Sequence, residues 1–230
     1  MRNRKYLIGA LVGVIGALTL SSVASAGSPT AMSEKATISP AKQSKKTFGG
    51  IKLHNVLSWT YSDFLGTHQP RTTSFTIPAD VKFVPGNLPV CQPSQIQNKP
   101  DAAARAACQR SIFGQGTVEV NNGALKGVVT FFSSGPRTML LQTDINNGSV
   151  IITITGQISG RTLTFTGVPD TVGLVLTKFD TTFNKRKTGK NTYYVMARCS
   201  KKKWVTSARS IFYSGETLSA TSKQTCKPTG

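Results

Sequence analysis

The sequence predicts an all-β protein, an antiparallel β-sandwich of about 9–11 strands with one short helical insertion. Three observations support this fold class. Apolar and polar residues alternate along most of the chain after residue 50. The alternating segments are rich in Thr, Val, Ile and aromatic residues, which favour strands. Turn-forming Asn, Gly and Pro residues separate them, and no long internal repeat indicates a propeller or solenoid.

The clearest alternation lies in residues 51–61. Ile51, Leu53 and Leu57 fall on one face of an extended segment, and Lys52 and His54 fall on the other. Further segments with strand character are 75–77, 81–83, 118–120, 128–132, 139–142, 150–155, 162–166, 174–183, 192–198 and 204–213. The Asn-Asn-Gly sequence at 121–123 predicts a hairpin turn between two of them.

A helical interruption is predicted near residues 100–108, which are rich in alanine and have Asp101 in the first turn. Cys91 precedes this segment and Cys108 ends it. A disulfide between them would hold a loop-plus-helix insertion against the sheet.

The first 26 residues have the pattern of a secretory signal peptide. They begin with three basic residues, Arg2, Arg4 and Lys5. An uncharged stretch over 7–20 follows, and Ala24 and Ala26 form the small-x-small pattern that predicts cleavage after Ala26. The alternative, an uncleaved anchor, is disfavoured because a membrane span needs roughly 20 apolar residues. No later segment is apolar enough to span a membrane, so we expect no transmembrane segment in the mature chain.

The rest of the chain divides into a leader and one domain. Residues 27–48 are rich in Lys, Ser and Pro and show no apolar period, which predicts a flexible leader. Residues 49–230 are predicted to form a single β-sandwich domain. Cleavage after Ala26 would lower the formal net charge from +19 to +16.

The four cysteines, Cys91, Cys108, Cys199 and Cys226, predict two disulfides in an exported protein. Three pairings are possible, and the spacing favours the local ones, Cys91 with Cys108 and Cys199 with Cys226. A zinc site is the alternative. It would need closely spaced Cys pairs or clustered His, and neither occurs, so we expect no metal and no other cofactor.

Basic residues are concentrated toward the end of the chain. From residue 178 onward there are 12 Lys and Arg residues and 2 acidic residues. Two clusters stand out: Lys185, Arg186, Lys187 and Lys190 in the first, and Lys201, Lys202 and Lys203 in the second. They indicate either solvated loops or a carbohydrate- or polyanion-binding surface, with Tyr193, Tyr194 and Trp204 nearby for stacking.

The spacing of the two clusters bears on these alternatives. A strand over 192–198 would place them roughly 20–25 Å apart, at opposite ends of the strand. That separation argues against one compact site, although a long polymer could touch both. We therefore expect no specific nucleic-acid binding, and the partner that the charge suggests is an anionic cell-envelope polymer or glycan.

The sequence offers no recognisable catalytic motif. The nine acidic residues are scattered, and the only acid and histidine close in sequence are Asp63 and His68. Nucleophile-elbow, phosphate-loop and zinc-protease motifs do not occur. Gly114 and Gly116 are too few for a dinucleotide fingerprint and are interpreted as backbone freedom at the start of a strand. We expect a non-enzymatic protein; the alternative is a secreted hydrolase whose site assembles from distant residues.

A set of ordered features over about residues 70–228 resembles a group of uncharacterised secreted bacterial proteins, frequent in actinobacteria. The first part is Leu88-Pro89-Val90-Cys91, an Ala-rich helix ending at Cys108, and Gly114-Gln115-Gly116. The second part is Cys199, Trp204, alternation through Phe212, then Gly215-Glu216-Thr217 and Cys226. The resemblance implies an exported β-rich domain with two local disulfides and carries over no catalytic residues.

Together these patterns predict an exported, non-enzymatic extracytoplasmic protein that is secreted or lies at the exterior of the cell envelope. We expect it to be a monomer. Its ligand does not follow from the sequence.

Overall fold

The computed structural model describes residues 28–62, 69–169 and 173–230. These residues are mostly antiparallel β-strand, which confirms the predicted all-β class. The predicted signal peptide with Ala24 and Ala26 lies outside the described residues, as does the pair Asp63 and His68.

Sixteen strands are present in the described residues. They are β1 (Pro29–Ser39), β2 (Lys42–Ser44), β3 (Gly49–Gly50), β4 (Lys52–Tyr61), β5 (Pro70–Thr76), β6 (Val81–Phe83), β7 (Ile112–Val120), β8 (Leu125–Ser133), β9 (Thr138–Ile145), β10 (Val150–Ser159), β11 (Thr162–Thr166), β12 (Leu176–Phe183), β13 (Val195–Ala197), β14 (Lys203–Phe212), β15 (Thr217–Thr225) and β16 (Lys227–Thr229). Two helices, α1 (Pro93–Ile96) and α2 (Asp101–Ala107), and a 3-10 turn (Gln109–Ser111) lie between β6 and β7.

Eleven strands form one antiparallel sheet in the order β1-β4-β12-β7-β8-β9-β10-β11-β5-β14-β15. The sheet curls until its two edge strands meet. Side chains of Ser222 and Gln224 on β15 bond to the backbone of β1, so no backbone ladder joins the two edges. The result is one nearly closed sheet. The core lies between its opposite walls and not between the two separate sheets of the predicted sandwich.

The strand alternation predicted for residues 51–61 is confirmed in β4. Leu53, Leu57 and Trp59 are buried on the inner face, while Lys52 and His54 lie on the outer face. Because the side-chain period of a strand is two, this pattern fixes which face of the sheet is the core.

The two ends of the sheet differ in how they are filled. At the end where β4, β7 and β14 begin, here called the first end, the small sheet β3-β13-β6 covers the interior. An aromatic cluster lies beneath it: Phe83, Phe113, Phe131, Phe183 and Tyr194. The Phe113 and Tyr194 rings stack at 3.7 Å between centroids. The opposite end, here called the second end, holds a smaller aromatic contact, in which the Tyr61 and Phe212 rings meet edge to face at 6.2 Å between centroids.

The predicted helical insertion packs on the outer face of β8 and β9. A second small core there contains Ile96, Ala104, Phe132 and Leu140 together with the Cys91–Cys108 disulfide. This packing explains why β9 is buried on both faces. The predicted pairing Cys91–Cys108 and its role in holding the insertion are both confirmed.

The prediction of a flexible leader over residues 27–48 is wrong. Residues 29–39 form β1, which pairs along its length with β4, and residues 42–44 form β2, which pairs with β16. The apolar period was hidden in the sequence because Glu34 occupies an inward position between Met32 and Ala36. The domain therefore includes the segment that was predicted to be a spacer.

The second predicted disulfide, Cys199–Cys226, is also confirmed. The strand predicted over 192–198 is shorter: β13 comprises only Val195–Ala197. It belongs to the small sheet at the first end, because Tyr194 turns into the aromatic cluster and interrupts the ladder before it.

Candidate functional site

The main sheet encloses an apolar cavity of about 100 Å³. Its wall is formed by inward side chains of β4, β7, β8, β9, β10, β11 and β12, among them Leu57, Phe131, Leu141, Ile154 and Phe179. The space follows from the strand number. About eight strands enclose an interior that side chains just fill, so eleven strands leave room unless large residues occupy it.

The residues that fill the interior are unevenly distributed. Five aromatic rings cluster at the first end, whereas the second end combines Tyr61 and Phe212 with shorter aliphatic side chains such as Val118, Val120 and Ile152. The cavity reaches the second end. Gln69 and Leu174 border it there, and the Gln69 side-chain amide donates to the Leu174 carbonyl.

Asn55 is the polar exception on the inner face of β4. Its side chain lines the cavity and the residue is only 7% exposed. Its Oδ1 atom is buried and has no hydrogen-bond partner among the described residues. Leaving a buried acceptor unpaired costs about 1–3 kcal/mol. An acceptor at this position can regain that energy from a donor placed in the cavity.

On the outer face, His54 Nε2 lies 2.7 Å from Asp180 Oδ1. β4 and β12 are neighbours, and this pairing joins residues 126 positions apart in sequence. Asp180 lines a shallow polar groove together with Lys52, Gln115 and Asn184, and His54 is not part of its lining. The sequence could not indicate this pair, because only the strand order brings the two residues together.

In the described part of the chain, the side chain bonded to His54 is that of Asp180. The residues directly opposite His54 on the neighbouring strands are Thr37 and Thr182. Neither hydroxyl bonds to His54 in the described part of the chain, so no activated nucleophile is present there. Groups of three or more potential metal ligands are likewise not found among the described residues. The geometry is that of a cross-strand hydrogen-bonded pair.

The first predicted basic cluster occupies the loop between β12 and β13. Lys185, Arg186, Lys187 and Lys190 are all exposed. Lys185 lies over the Tyr193 ring, and Arg186 donates to the Arg110 carbonyl. The second cluster, Lys201, Lys202 and Lys203, is an exposed turn that leads into β14.

Both basic clusters lie at the first end of the main sheet, because β12 ends there and β14 begins there. The expected separation of 20–25 Å assumed a strand over 192–198, whereas β13 comprises only Val195–Ala197 and spans about 10 Å. Tyr194 and Trp204 are buried in the core and cannot stack on a ligand. Tyr193 is half-buried beside Lys185.

Comparisons with known proteins give no relative: no protein-family model, curated protein or solved structure matches the chain. The resemblance to secreted bacterial proteins thus stays a prediction. Within the described residues, no helix is long and apolar enough to cross a membrane. The two disulfides are typical of an oxidising, extracellular environment.

Proposed function

We propose that this chain is an exported, non-enzymatic extracytoplasmic protein that binds a small, largely apolar ligand inside its nearly closed sheet. One observation carries the proposal: the unpaired, buried acceptor of Asn55 points to a hydrogen-bond donor within a mostly apolar cavity. Ligand sites commonly combine an apolar wall with a few polar groups that orient the ligand.

The dimensions limit the ligand. A cavity of about 150 Å³ lined by Leu, Ile and Phe is known to accept benzene. The cavity here is about 100 Å³ and has a similar lining. The proposed ligand is therefore of the size of a single ring or a short branched chain, and it carries one hydroxyl or N–H group. An ionised ligand is disfavoured because the wall offers no charged side chain among the described residues.

Export is supported by the signal-peptide pattern of residues 1–26 and by the two disulfides. The absence of a recognised catalytic motif in the sequence supports a binding role. We propose that the mature protein is a monomer, secreted or located at the exterior of the cell envelope.

The test compares phenol with benzene as probes, using titration calorimetry or ligand-observed NMR on the mature protein. We expect phenol to bind at least fivefold more tightly, because its hydroxyl can donate to Asn55. In Asn55→Leu this preference should disappear or reverse. Equal binding of the two probes by the wild-type protein would contradict the assigned role of Asn55.

A second pair of variants tests the location. Ile154 lines the cavity, so Ile154→Trp should fill it and abolish phenol binding. Val128 lies on the outer face of β8 and is 42% exposed, so Val128→Trp is the matched control and should leave binding unchanged. Loss of binding in both variants, or in neither, would exclude the cavity as the site.

The secreted hydrolase is the competing proposal, and the His54–Asp180 contact at 2.7 Å is the observation in its favour. A panel of chromogenic esters and glycosides tests it directly. We expect no turnover above the rate of a buffer blank. Turnover that His54→Ala abolishes while the protein remains folded would establish the hydrolase and overturn the non-enzymatic assignment.

A further inference from the structure

Three distant segments meet at the first end of the molecule. β16 pairs in parallel with β2, which places Lys227 beside Lys42. The Cys226 amide donates to the Lys202 carbonyl at 3.0 Å, and the Cys199 amide donates to the Ser44 carbonyl at 2.9 Å. Segments 41–46, 199–203 and 225–229 are thus bonded to one another, and the Cys199–Cys226 disulfide links two of them covalently.

This junction gathers positive charge. Seven exposed lysines lie on it, and we call them the lysine platform: Lys42, Lys45, Lys46, Lys201, Lys202, Lys203 and Lys227. In the part of the chain that the structure describes, none of the seven has an acidic side chain within salt-bridge distance. Mutual repulsion makes such a surface costly unless counterions or an anionic partner neutralise it.

The acidic side chain that bonds to segment 199–203 is already engaged. Asp80 accepts hydrogen bonds from the Ser200 amide and hydroxyl and from Arg198 Nε. Burial alone would raise the pKa of Asp80, but these bonds and the Arg198 charge outweigh burial and hold its pKa below the usual range. Asp80 therefore anchors the start of the turn that carries Lys201, Lys202 and Lys203, and leaves the lysine charges unneutralised.

From this arrangement we infer that the lysine platform binds a linear anionic polymer of the polyol-phosphate type, a chain of phosphodiesters without bases. The surface is extended and crosses three chain segments, which suits a polymer better than a small anion. Its cations are ammonium groups only. Lysine binds phosphate as a point charge, so a surface of ammonium groups can follow a phosphodiester backbone without a fixed binding geometry.

The aromatic residues next to the platform argue against single-stranded nucleic acid. Phe48 is only partly exposed, and Lys82 and Arg198 already lie over its ring. Trp204 follows Lys203 directly, yet it is 1% exposed and its Nε1 donates to the Arg198 carbonyl at 2.8 Å. It cannot stack on a base or a sugar ring. Single-strand nucleic-acid sites gain about 1–3 kcal/mol for each base from such stacking. A polymer that has neither bases nor rings gains no energy from stacking in any site, so the buried tryptophan does not weaken its binding.

The experiment measures binding of the mature protein to poly(glycerol phosphate) across a range of salt concentrations. The test variant is Lys201→Gln, Lys202→Gln and Lys203→Gln combined. The control variant, Lys35→Gln, Arg71→Gln and Lys126→Gln combined, removes the same charge from exposed positions elsewhere. We expect the test variant to bind at least tenfold more weakly at about 0.1 M salt, with its salt slope reduced by about 2.

The control variant should stay within twofold of the wild-type protein. Equal weakening in the two variants would show that net charge alone drives the attraction, and would overturn the platform. Lys42→Gln, Lys45→Gln and Lys46→Gln combined should weaken binding as the 201–203 variant does, because both segments belong to one surface. Unchanged binding in that variant would also contradict the proposal.

Other anionic probes decide the partner class. At equal charge concentration, we expect poly(glycerol phosphate) to bind at least fivefold more tightly than polygalacturonate, a carboxylate polymer, or duplex DNA. Vesicles containing phosphatidylglycerol should bind more weakly than the polymer at the same phosphate concentration. Tighter platform-dependent binding of any of these three would replace the phosphodiester polymer as the partner. Failure of this test leaves the cavity proposal unaffected, because the two sites share no residue.

Discussion

The Gln224 side chain makes two hydrogen bonds to the backbone of Ile38. The Ile38 amide donates to Gln224 Oε1 at 2.6 Å, and Gln224 Nε2 donates to the Ile38 carbonyl at 2.9 Å. The side-chain amide thus replaces the peptide group that a neighbouring strand would supply. The Ser222 hydroxyl likewise accepts from the Ala36 amide and donates to the Ala36 carbonyl. These contacts close the sheet between β1 and β15.

Gln224→Ala should destabilise the protein by about 2 kcal/mol. The substitution leaves both backbone groups of Ile38 unpaired next to a side chain that is 1% exposed. Urea unfolding followed by circular dichroism measures the change. Thr221→Ala is the control, because Thr221 is exposed on the same strand and should cost less than about 0.5 kcal/mol. Equal effects in the two variants would show that Gln224 does not hold the edges together.

Glu34 makes stability depend on pH. It points inward from β1, where its carboxyl oxygens are buried without a hydrogen-bond partner among the described residues, and burial raises the pKa of this carboxyl to about 7. A folded-state pKa above the unfolded value of 4.5 means that the contribution is full below pH 4.5 and is lost as pH rises through 7.

Glu34→Gln should remove this dependence between pH 5 and 8. The wild-type protein should lose on the order of 1 kcal/mol more than the variant over that range, a figure reduced for partial solvent screening. Urea midpoints at several pH values provide the measurement. Parallel pH profiles for the two proteins would contradict the buried-carboxyl interpretation.

Removing the Cys199–Cys226 disulfide should affect both stability and the lysine platform. The two cysteines are 27 residues apart, and those of Cys91–Cys108 are 17 apart. Loop entropy then gives about 3.5 and about 3 kcal/mol respectively. Double Cys→Ser variants measured by urea unfolding should show both losses. Only the Cys199/Cys226 variant should also weaken poly(glycerol phosphate) binding; an equal effect of Cys91/Cys108 would point to general unfolding.

Gly116→Ala should destabilise the protein by more than about 2 kcal/mol. A Cβ atom at this position would lie 2.1 Å from the Asp180 carbonyl oxygen, so β7 and β12 would have to separate. The control is Gly189→Ala, where the contact is only with the end of the Thr192 side chain. Thermal unfolding compares the two. A mild effect at Gly116 would mean that the strands can move apart without loss.

Gly116 also shows what the sequence alone does not predict. The interpretation that Gly114 and Gly116 supply backbone freedom at the start of a strand is wrong, because neither is among the described glycines with a positive φ. Gly116 is required instead by the close approach of Asp180 from a strand about 60 positions away. A single sequence does not indicate which backbone will approach a glycine.

The local features were predictable because local physics determines them. The alternation in 51–61, the Asn121–Gly123 turn and the alanine-rich helix depend on neighbouring residues alone. Asn121 and Asn122 both adopt the left-handed conformation that the turn requires. The pairing of the two disulfides was also predictable, because each links cysteines that are close in sequence.

The candidate sites depend on strand order, which the sequence does not indicate. In the sequence, Asn55 is one polar residue within a strand. Only the nearly closed sheet shows that its side chain faces a cavity. Lys42 and Lys227 are neighbours through the β2–β16 pairing. The sequence does not predict this contact, because residues 27–48 show no strand pattern. These residues carry no local pattern that distinguishes them from solvated side chains.

The meeting of β1 with β15 has a consequence for how the chain acquires its structure. Ile38 and Gln224 are separated by 186 positions in the sequence, and the paired strands β2 and β16 lie about as far apart along the chain. A protein synthesised from its amino terminus must keep the edge of β1 uncovered until nearly the whole domain is available. Such high contact order slows folding, and the prolonged exposure of an unpaired strand invites self-association. If the chain is exported in an extended form, as its signal-peptide pattern predicts, it completes this step only after translocation, where the disulfides can also form.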